Sequence, residues 1–346
     1  MDHFAKGSLS STNRKNGENR MKVLVTGGAG YIGSHAAKAL AKAGHEPVVL
    51  DNLSSGHRWA VKWGRLLDWD LADGDRISQF LQKERVDAVM HFAAWLLVGE
   101  SVQEPRKYYW NNVVNTLRLL DAMLAAGVKR IVFSSSAATY GNPRTVPIPE
   151  DHPKEPVNPY GETKLAMERA LQWYGNAYDL RWMALRYLNA AGADHDGEIG
   201  ESHDPEAHLI PLTIKAALGQ RPHVEISGTD YPTPDGTAVR DYIHVTDLAD
   251  AHVRALDYLT RGGESRALNL GTGHGYSVRE VINAVGRISS QPVPAREGPR
   301  RAGDPPVLVA EASQAGTVLG WKPQYSDLET IIQDAWKWHQ TGGREK

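Results

Sequence analysis

The stretch Val23-Leu24-Val25-Thr26-Gly27-Gly28-Ala29-Gly30-Tyr31-Ile32-Gly33 constrains this chain more than any other. An apolar run suited to a buried strand, Lys22–Thr26, passes through glycines into an amphipathic helix that continues through Leu40. Gly27 permits the tight turn, Gly30 lets backbone N–H groups approach a pyrophosphate, and Gly33 allows close helix–strand packing. Tyr31 and Ile32 open the helix, whose N-terminus adds donors and a favourable dipole for an anion. A second strand, Glu46–Leu50, ends at Asp51, about twenty residues further on, with Asn52 beside it. An acid there accepts hydrogen bonds from both ribose hydroxyls and repels a 2′-phosphate, which favours NAD over NADP.

Further strands are expected over residues 87–91 and over Arg130–Ser134, with helices over residues 105–126 and 159–176. Such alternation specifies an α/β fold of the Rossmann-like, doubly wound kind, with a parallel sheet covered on both faces. After about Tyr187 the texture changes to loops rich in Gly, Pro, Asp and His over residues 195–207 and 229–237. The expected division is an NAD-binding domain over 21–187 and a smaller, interleaved α/β substrate-binding domain over 188–346. Strand candidates at 239–245 and 267–270 are expected to return to the first sheet.

Asn158-Pro159-Tyr160-Gly161-Glu162-Thr163-Lys164 starts a helix, with Asn158 as N-cap and Pro159 in the first turn. Tyr160 and Lys164 are four apart and share a helix face. A free phenol titrates near ~10, so a neighbouring ammonium is what makes it usable as a base. Ser134-Ser135-Ser136 closes a strand at its carboxyl end, where open α/β sheets bind ligands, and Ser136 is placed to share a hydrogen bond with Tyr160 and a reacting hydroxyl.

A net charge of -2 leaves no basic excess for nucleic acid or an anionic membrane surface. With no cysteine in its 346 residues, the chain has no disulfide, thiolate metal site or cysteine nucleophile, and the expected location is the reducing cytoplasm. No apolar stretch approaches the length of a membrane span. Residues 1–20 are polar and lack the apolar core of a secretory signal, and they read as a disordered extension or an expression remnant. His195, Glu198, Glu201, His203 and His208 crowd one segment, but their spacing matches no zinc pattern; a substrate-covering loop, with no metal, is expected. The tryptophans, including Trp59, Trp63, Trp69 and Trp95, are read as packing residues.

Taken together these motifs resemble the extended short-chain dehydrogenase/reductase family, and within it the enzymes that invert C4 of UDP-linked sugars. The resemblance runs from Met21 to about His339. It implies a Tyr160–Lys164–Ser136 catalytic site and a retained NAD that oxidises the sugar to a 4-ketose and reduces it again on the other face. Asp70 and Leu71 are then expected to border the adenine, and Phe92, Ala93, Ala94, Asn111, Ser134 and Tyr187 to line the cofactor cleft. Lys164 also holds the nicotinamide ribose. Asn189, His208, Leu209, Arg240, Arg301 and Asp304 fall on positions that grip the nucleotide, and two arginines suit a diphosphate because the guanidinium fork matches paired phosphate oxygens. A homodimer is expected from the same resemblance. The chain departs from familiar members at Leu96, where some carry lysine, at Leu188 and Ser227, often phenylalanine, and at His208, asparagine in some. Leu308 lies where bulk limits the sugar C2 substituent. UDP-glucose and UDP-galactose are the expected pair; UDP-pentoses and UDP-GlcNAc are alternatives. A nucleotide-sugar dehydratase would carry an Asp-Glu pair after the strand serine, where this chain has Ala137 and Ala138. A non-catalytic NAD-sensing regulator would have lost the tyrosine or lysine that this chain keeps.

Overall fold

The computed structural model describes residues 20–301 and 304–341, so the segment read as an extension lies, apart from Arg20, outside the described residues. Six strands come first in the central sheet: β1 (Lys22–Thr26), β2 (Glu46–Leu50), β3 (Arg65–Leu67), β4 (Ala88–His91), β5 (Arg130–Ser134) and β6 (Arg181–Arg186). The strands β7 (Asn189–Ala191), β8 (Val224–Ser227), β9 (Val239–Arg240) and β10 (Tyr242–His244) lie outside it. The chain then re-enters through β11 (Arg266–Asn269), which gives the order β11-β6-β5-β4-β1-β2-β3, parallel at every pairing. Successive strands run to opposite sides of β1, so a crevice opens between the carboxyl ends of β1 and β4.

The helices in chain order are α1 (Tyr31–Lys42), α2 (Gly74–Lys83), α3 (Val98–Gln103), α4 (Pro105–Tyr108), α5 (Asn115–Ala126) and α6 (Pro159–Tyr178), then α7 (Leu209–Ala217), α8 (Val245–Thr260), α9 (Val278–Ser289), α10 (Ser313–Leu319) and α11 (Leu328–Gln340). Alternation along the strands divides the core. Val23 and Val25 face Ala36, Leu40, Leu248 and Leu256 of α1 and α8, whereas Leu24 faces the layer of α2, α5 and α6 built on Ile77, Leu119, Met123 and Leu171. Burying each such side chain contributes roughly 1.5–3 kcal/mol before the entropy of ordering it. A separate cluster joins α7, α9 and α11 to β7 and β10 through Ile210, Ile214, Tyr242, Val285 and Ile331.

Local expectations fared unevenly. Asn158 does cap α6, its Oδ1 accepting the Gly161 N–H at 2.8 Å, with Pro159 in the first turn. The expected single helix over 105–126 is interrupted by a π-helical segment, Tyr109–Val114. The widened turn accompanies a side-chain clamp: Asn112 Oδ1 accepts the Trp95 N–H at 2.9 Å and Asn112 Nδ2 donates to the Trp95 carbonyl at 3.0 Å. Of the two segments expected to rejoin the sheet, Arg266–Asn269 pairs with β6, but 239–245 does not. Asp241, fully buried, breaks that run: its carboxylate accepts from Thr272 N–H and Oγ1, and β9 and β10 pair with different partners on either side.

Backbones meet closely at the crevice. A Cβ on Gly33 would stand 2.2 Å from the Gly27 carbonyl oxygen. Gly33→Ala is therefore expected to destabilise the fold by about 1–3 kcal/mol, read as a lowered urea midpoint with unchanged slope; an unaltered midpoint would refute this account of the glycine.

Candidate active site

A cleft of about 1280 Å³ opens at that crevice and runs to the α7 end of the molecule. It exceeds the ~300–1,000 Å³ of an ordinary single-ligand pocket, so it has room for two ligands side by side. Every residue singled out above for cofactor, chemistry and nucleotide lines it. Gly27, Gly30, Tyr31, Ile32 and Gly33 form one end. A Cβ on Gly27 would meet the Ala93 backbone nitrogen at 2.5 Å, so β1 and the chain leaving β4 touch without side chains between them. The first N–H groups of α1 have no intrahelical acceptor, and Tyr31, Ile32 and Gly33, which bear them, line the cleft.

Asp51, buried at the end of β2, is stitched to the glycine loop: Oδ2 accepts the Ala29 N–H at 3.0 Å and Oδ1 the Leu53 N–H at 2.8 Å. Burial pushes its pKa up and these two hydrogen bonds oppose the rise. Asn52 Nδ2 donates to Asp70 Oδ2 at 2.7 Å, and Leu71 is buried beside it. Phe92, Ala93 and Ala94 follow β4, and Asn111 stands on the π-helical turn, donating to Asn112 Oδ1 at 3.0 Å. The glycine cradle and the helix N–H groups as donors, with the β2 carboxylate as acceptor, are the set that NAD requires.

The opposite wall carries the reactive groups. Tyr160 opens α6 and its N–H donates to Ser101 Oγ at 3.2 Å. Burial pushes the phenol pKa up, and the Ser136 side chain acts against it. Ser136 itself is fixed as a cap, its Oγ accepting the Ala138 N–H at 3.1 Å. Lys164 Nζ donates to the Ser134 carbonyl at 2.8 Å and lies 5.8 Å from the centre of the Tyr160 ring. Burial pulls this ammonium down to about 7, with Glu168 opposing. Tyr187 shares a 2.5 Å hydrogen bond with Ser134 Oγ.

Beneath this wall lies a network that the sequence reading missed. Glu168 and Arg186 form a buried pair at 2.5 Å, with side chains 6% and 4% exposed. Glu168 Oε1 also accepts from Ser135 Oγ at 2.6 Å, while Arg186 Nη1 donates to the Tyr140 hydroxyl at 2.8 Å, which donates in turn to Asn269 Oδ1 at 2.7 Å. The available signal was Glu168 four residues beyond Lys164, one turn further along the same helix face.

At the far end, Asn189 Nδ2 donates to the Asp241 carbonyl at 3.0 Å, and His208 and Leu209 begin α7. Arg240 pairs with Asp304 at 2.5 Å, and Arg301 is exposed at the rim. Leu96, Leu188, Ser227 and Leu308 complete the lining, and Trp69 and Trp95, read as packing residues, also reach the cleft. The crowded 195–208 segment divides in two. Glu198 joins Asp194 and Asp196 around Lys38 Nζ at 2.7–2.9 Å, whereas Glu201, His203 and His208 gather with Glu206, which the sequence reading passed over. His195 turns away to Asp334.

Residues 23–271 match the family described as the NAD dependent epimerase/dehydratase family. Among curated relatives, a UDP-glucose 4-epimerase of Rhizobium meliloti is 55% identical over 92% of this chain and 96% of its own length. The crystal structure of UDP-glucose 4-epimerase from Brucella ovis in complex with NAD superposes with a TM-score of 0.90 at 53% identity, covering 91% of this chain and 97% of that one. The UDP-glucose 4-epimerase from Bifidobacterium longum in complex with NAD+ and UDP gives a TM-score of 0.88 at 38% identity over 93% and 99%.

Removing Glu168 would leave the Arg186 guanidinium buried and unpaired. Glu168→Ala is expected to cost about 3–5 kcal/mol of unfolding free energy, measured by chemical denaturation. A loss below about 1 kcal/mol would show that the pair is not needed to hold the wall.

Proposed function

The chain belongs to the NAD dependent epimerase/dehydratase family, and on that premise we propose how its cleft inverts C4 of a UDP-linked sugar. It is an NAD-dependent 4-epimerase, and the preferred pair is UDP-glucose and UDP-galactose. The observation that carries the assignment of the chemistry is that Tyr160, Ser136 and Lys164 line the same cleft as the glycine cradle, with Lys164 Nζ 5.8 Å from the centre of the Tyr160 ring.

NAD, when bound, would supply a hydride acceptor and donor at C4 and, in its oxidised form, positive charge beside the phenol. Tyr160 takes the proton of the 4-hydroxyl as C4 is oxidised, and gives it back when the 4-ketose has turned over. Ser136 bridges the phenol and the hydroxyl and fixes their approach. Lys164 orients the nicotinamide ribose and counters the burial that otherwise keeps the phenol protonated. Gly27, Gly30, Tyr31, Ile32 and Gly33 hold the pyrophosphate, and Asp51 takes the ribose hydroxyls. Asn52, Asp70, Leu71, Phe92, Ala93, Ala94, Asn111, Ser134 and Tyr187 enclose the rest of the cofactor. Asn189, His208, Leu209, Arg240, Arg301 and Asp304 grip the nucleotide, so that the sugar alone is free to rotate. Elimination is disfavoured, because Ala137 and Ala138 follow Ser136 and supply no acid–base pair.

Residues 21–187 with β11 form the cofactor domain in this reading, and most of 188–341 the substrate domain. A cytoplasmic location suits a cysteine-free enzyme whose two ligands are phosphorylated metabolites. The exposed aromatic surface on the helices over 105–178 supports a homodimer: Trp173 is 71% exposed, and Tyr109, Trp110 and Tyr178 are exposed as well.

Two measurements test the scheme. Tyr160→Phe is expected to reduce turnover of UDP-galactose by at least about 10²–10⁴-fold while NAD stays bound; near-normal turnover would discard Tyr160 as the base. NMR of the products from UDP-glucose, UDP-GlcNAc and UDP-xylose, incubated separately, reads the sugar preference. For the dimer, Trp173→Glu is expected to convert a sedimenting dimer to monomer at micromolar concentration, and a wild-type protein already monomeric there would end that proposal.

A further inference from the structure

The cluster Glu201, His203, Glu206 and His208 brings four ligand-type atoms within 4.8 Å of one another at the wall of the cleft. Its geometry argues for protons rather than a metal. The Nδ1 atoms of both imidazoles approach the same oxygen, Glu201 Oε1, at 3.0 Å from His203 and 2.5 Å from His208. A carboxylate oxygen there accepts, so each Nδ1 carries a hydrogen, and the lone pairs that a metal would need at those atoms are used.

The two carboxylates are buried, Glu201 3% and Glu206 4% exposed, while the His208 side chain is 38% exposed. With Nδ1 turned inward onto Glu201, the edge that His208 offers the cleft is the Nε2 edge. Glu206 Oε1 accepts the Ala207 and His208 backbone N–H groups at 2.8 and 2.9 Å and stands 3.6 Å from His208 Nδ1. Its Oε2 is buried with no hydrogen-bond partner among the described residues. His208 is also the N-cap of α7, so the positive end of that helix points the same way.

We propose that Glu201, assisted by Glu206, is a positioning residue that keeps His208 an imidazolium, whose Nε2–H donates to the diphosphate of the nucleotide-sugar. The inference rests on the proposed function and deepens it. A neutral imidazole with its hydrogen on Nδ1 would offer that diphosphate a lone pair, which repels it; the second proton turns the same edge into a charge-assisted donor. Burial alone would lower the pKa of His208, but Glu201 and then Glu206 raise it to about 9. Reciprocally, burial pushes Glu201 up, and His208 and His203 overcome that and hold it well below the ordinary carboxylate range. Around the cluster stand Tyr31, whose phenol burial and then these two glutamates push up, and His339, which burial lowers to about 4, with Glu201 opposing and the Lys215 ammonium adding to the fall. The sign follows: the charge on His208 is present below about pH 9 and is lost above it, whereas without Glu201 only Glu206 opposes the burial and the charge is lost at lower pH.

The test is calorimetric binding of UDP-glucose to NAD-loaded protein between about pH 6 and 8.5 in a Tyr160→Phe background, where the sugar cannot turn over. The diphosphate keeps its charge across this window, and so does the uracil. Affinity is expected to stay level in that background, to fall roughly tenfold from the acid to the alkaline end when Glu201→Gln is added, and to become level again when His208→Asn is combined with Glu201→Gln. A level profile for Glu201→Gln, or a fall that persists in the His208→Asn combination, overturns the proposal. Should Glu201→Gln not fold, imidazole ¹⁵N NMR of the unaltered holoenzyme decides: a doubly protonated His208 at pH 8 supports it, and a neutral ring or a stoichiometric bound metal refutes it. Failure of the unaltered holoenzyme to bind UDP-glucose at pH 7 would instead sink the underlying functional reading.

Discussion

The Gly27 carbonyl oxygen occupies the space that any side chain at residue 33 would need, and a side chain at residue 27 would need the space of the Ala93 backbone. This contact of bare backbones sets the rest of the cleft. It draws the N-terminus of α1 onto the end of β1 and seats the chain leaving β4 against both. A buried hydrogen-bond chain holds the same junction from below: Thr26 Oγ1 meets His91 Nδ1 at 2.6 Å, and His91 Nε2 meets Thr116 Oγ1 at 2.9 Å. Burial pulls the His91 pKa down to about 3, so the ring stays neutral and can serve as a bridge without bringing charge into the core.

The reactive wall is held in a different currency. Its anchor is the Glu168–Arg186 pair, and a buried ion pair contributes little net stability over well-packed apolar residues of the same size. What it supplies is geometry. One carboxylate ties α6 to Ser135 at the end of β5 and to Arg186 at the end of β6, and the Tyr140 hydroxyl carries the linkage on to Asn269 on β11. The strand that re-enters the sheet after the excursion through β7–β10 is therefore tied to the helix bearing Tyr160 and Lys164. Interleaving of the chain and fixity of the helix bearing Tyr160 and Lys164 meet in this one network.

Local spacing made the glycine loop, Asp51, Ser136, Tyr160 and Lys164 legible, because each depends on neighbours within one strand or one helical turn. What escaped depends on distant partners. Arg65–Leu67 is too short to show a period, and Arg181–Arg186 ends in an arginine, Arg186, whose burial is intelligible only once Glu168 is seen opposite. The run 239–245 reads as one strand until Thr272 and Ala310 are seen to bring their hydrogens to Asp241 and break it. The π-helical turn is invisible to a 3.6-residue period because its reason, the Asn112 clamp on Trp95, lies seventeen residues back along the chain. Glu206 had no signal at all, since its role is defined by Glu201 and His208 folding onto it.

On the proposed reading, the two halves of the cleft solve opposite problems. The cofactor half is built of backbone donors and one carboxylate stitched in place by two N–H groups, a rigid set suited to a ligand that is never released between turnovers. In the nucleotide half, cations gather at one end, with Arg221, Arg240, Arg300 and Arg301 among the lining residues, while Leu188 and Leu308 present aliphatic surface. Charge fixes the diphosphate, whose shape does not change during the reaction. Aliphatic walls leave the hexose without directional partners, which an epimerase requires. A pocket that hydrogen-bonded each hydroxyl of one epimer would lower that ground state and raise the barrier to turning the ketose over. Selectivity for C4 then comes from where Tyr160 and Ser136 meet the ring, and reversibility from how little else touches it.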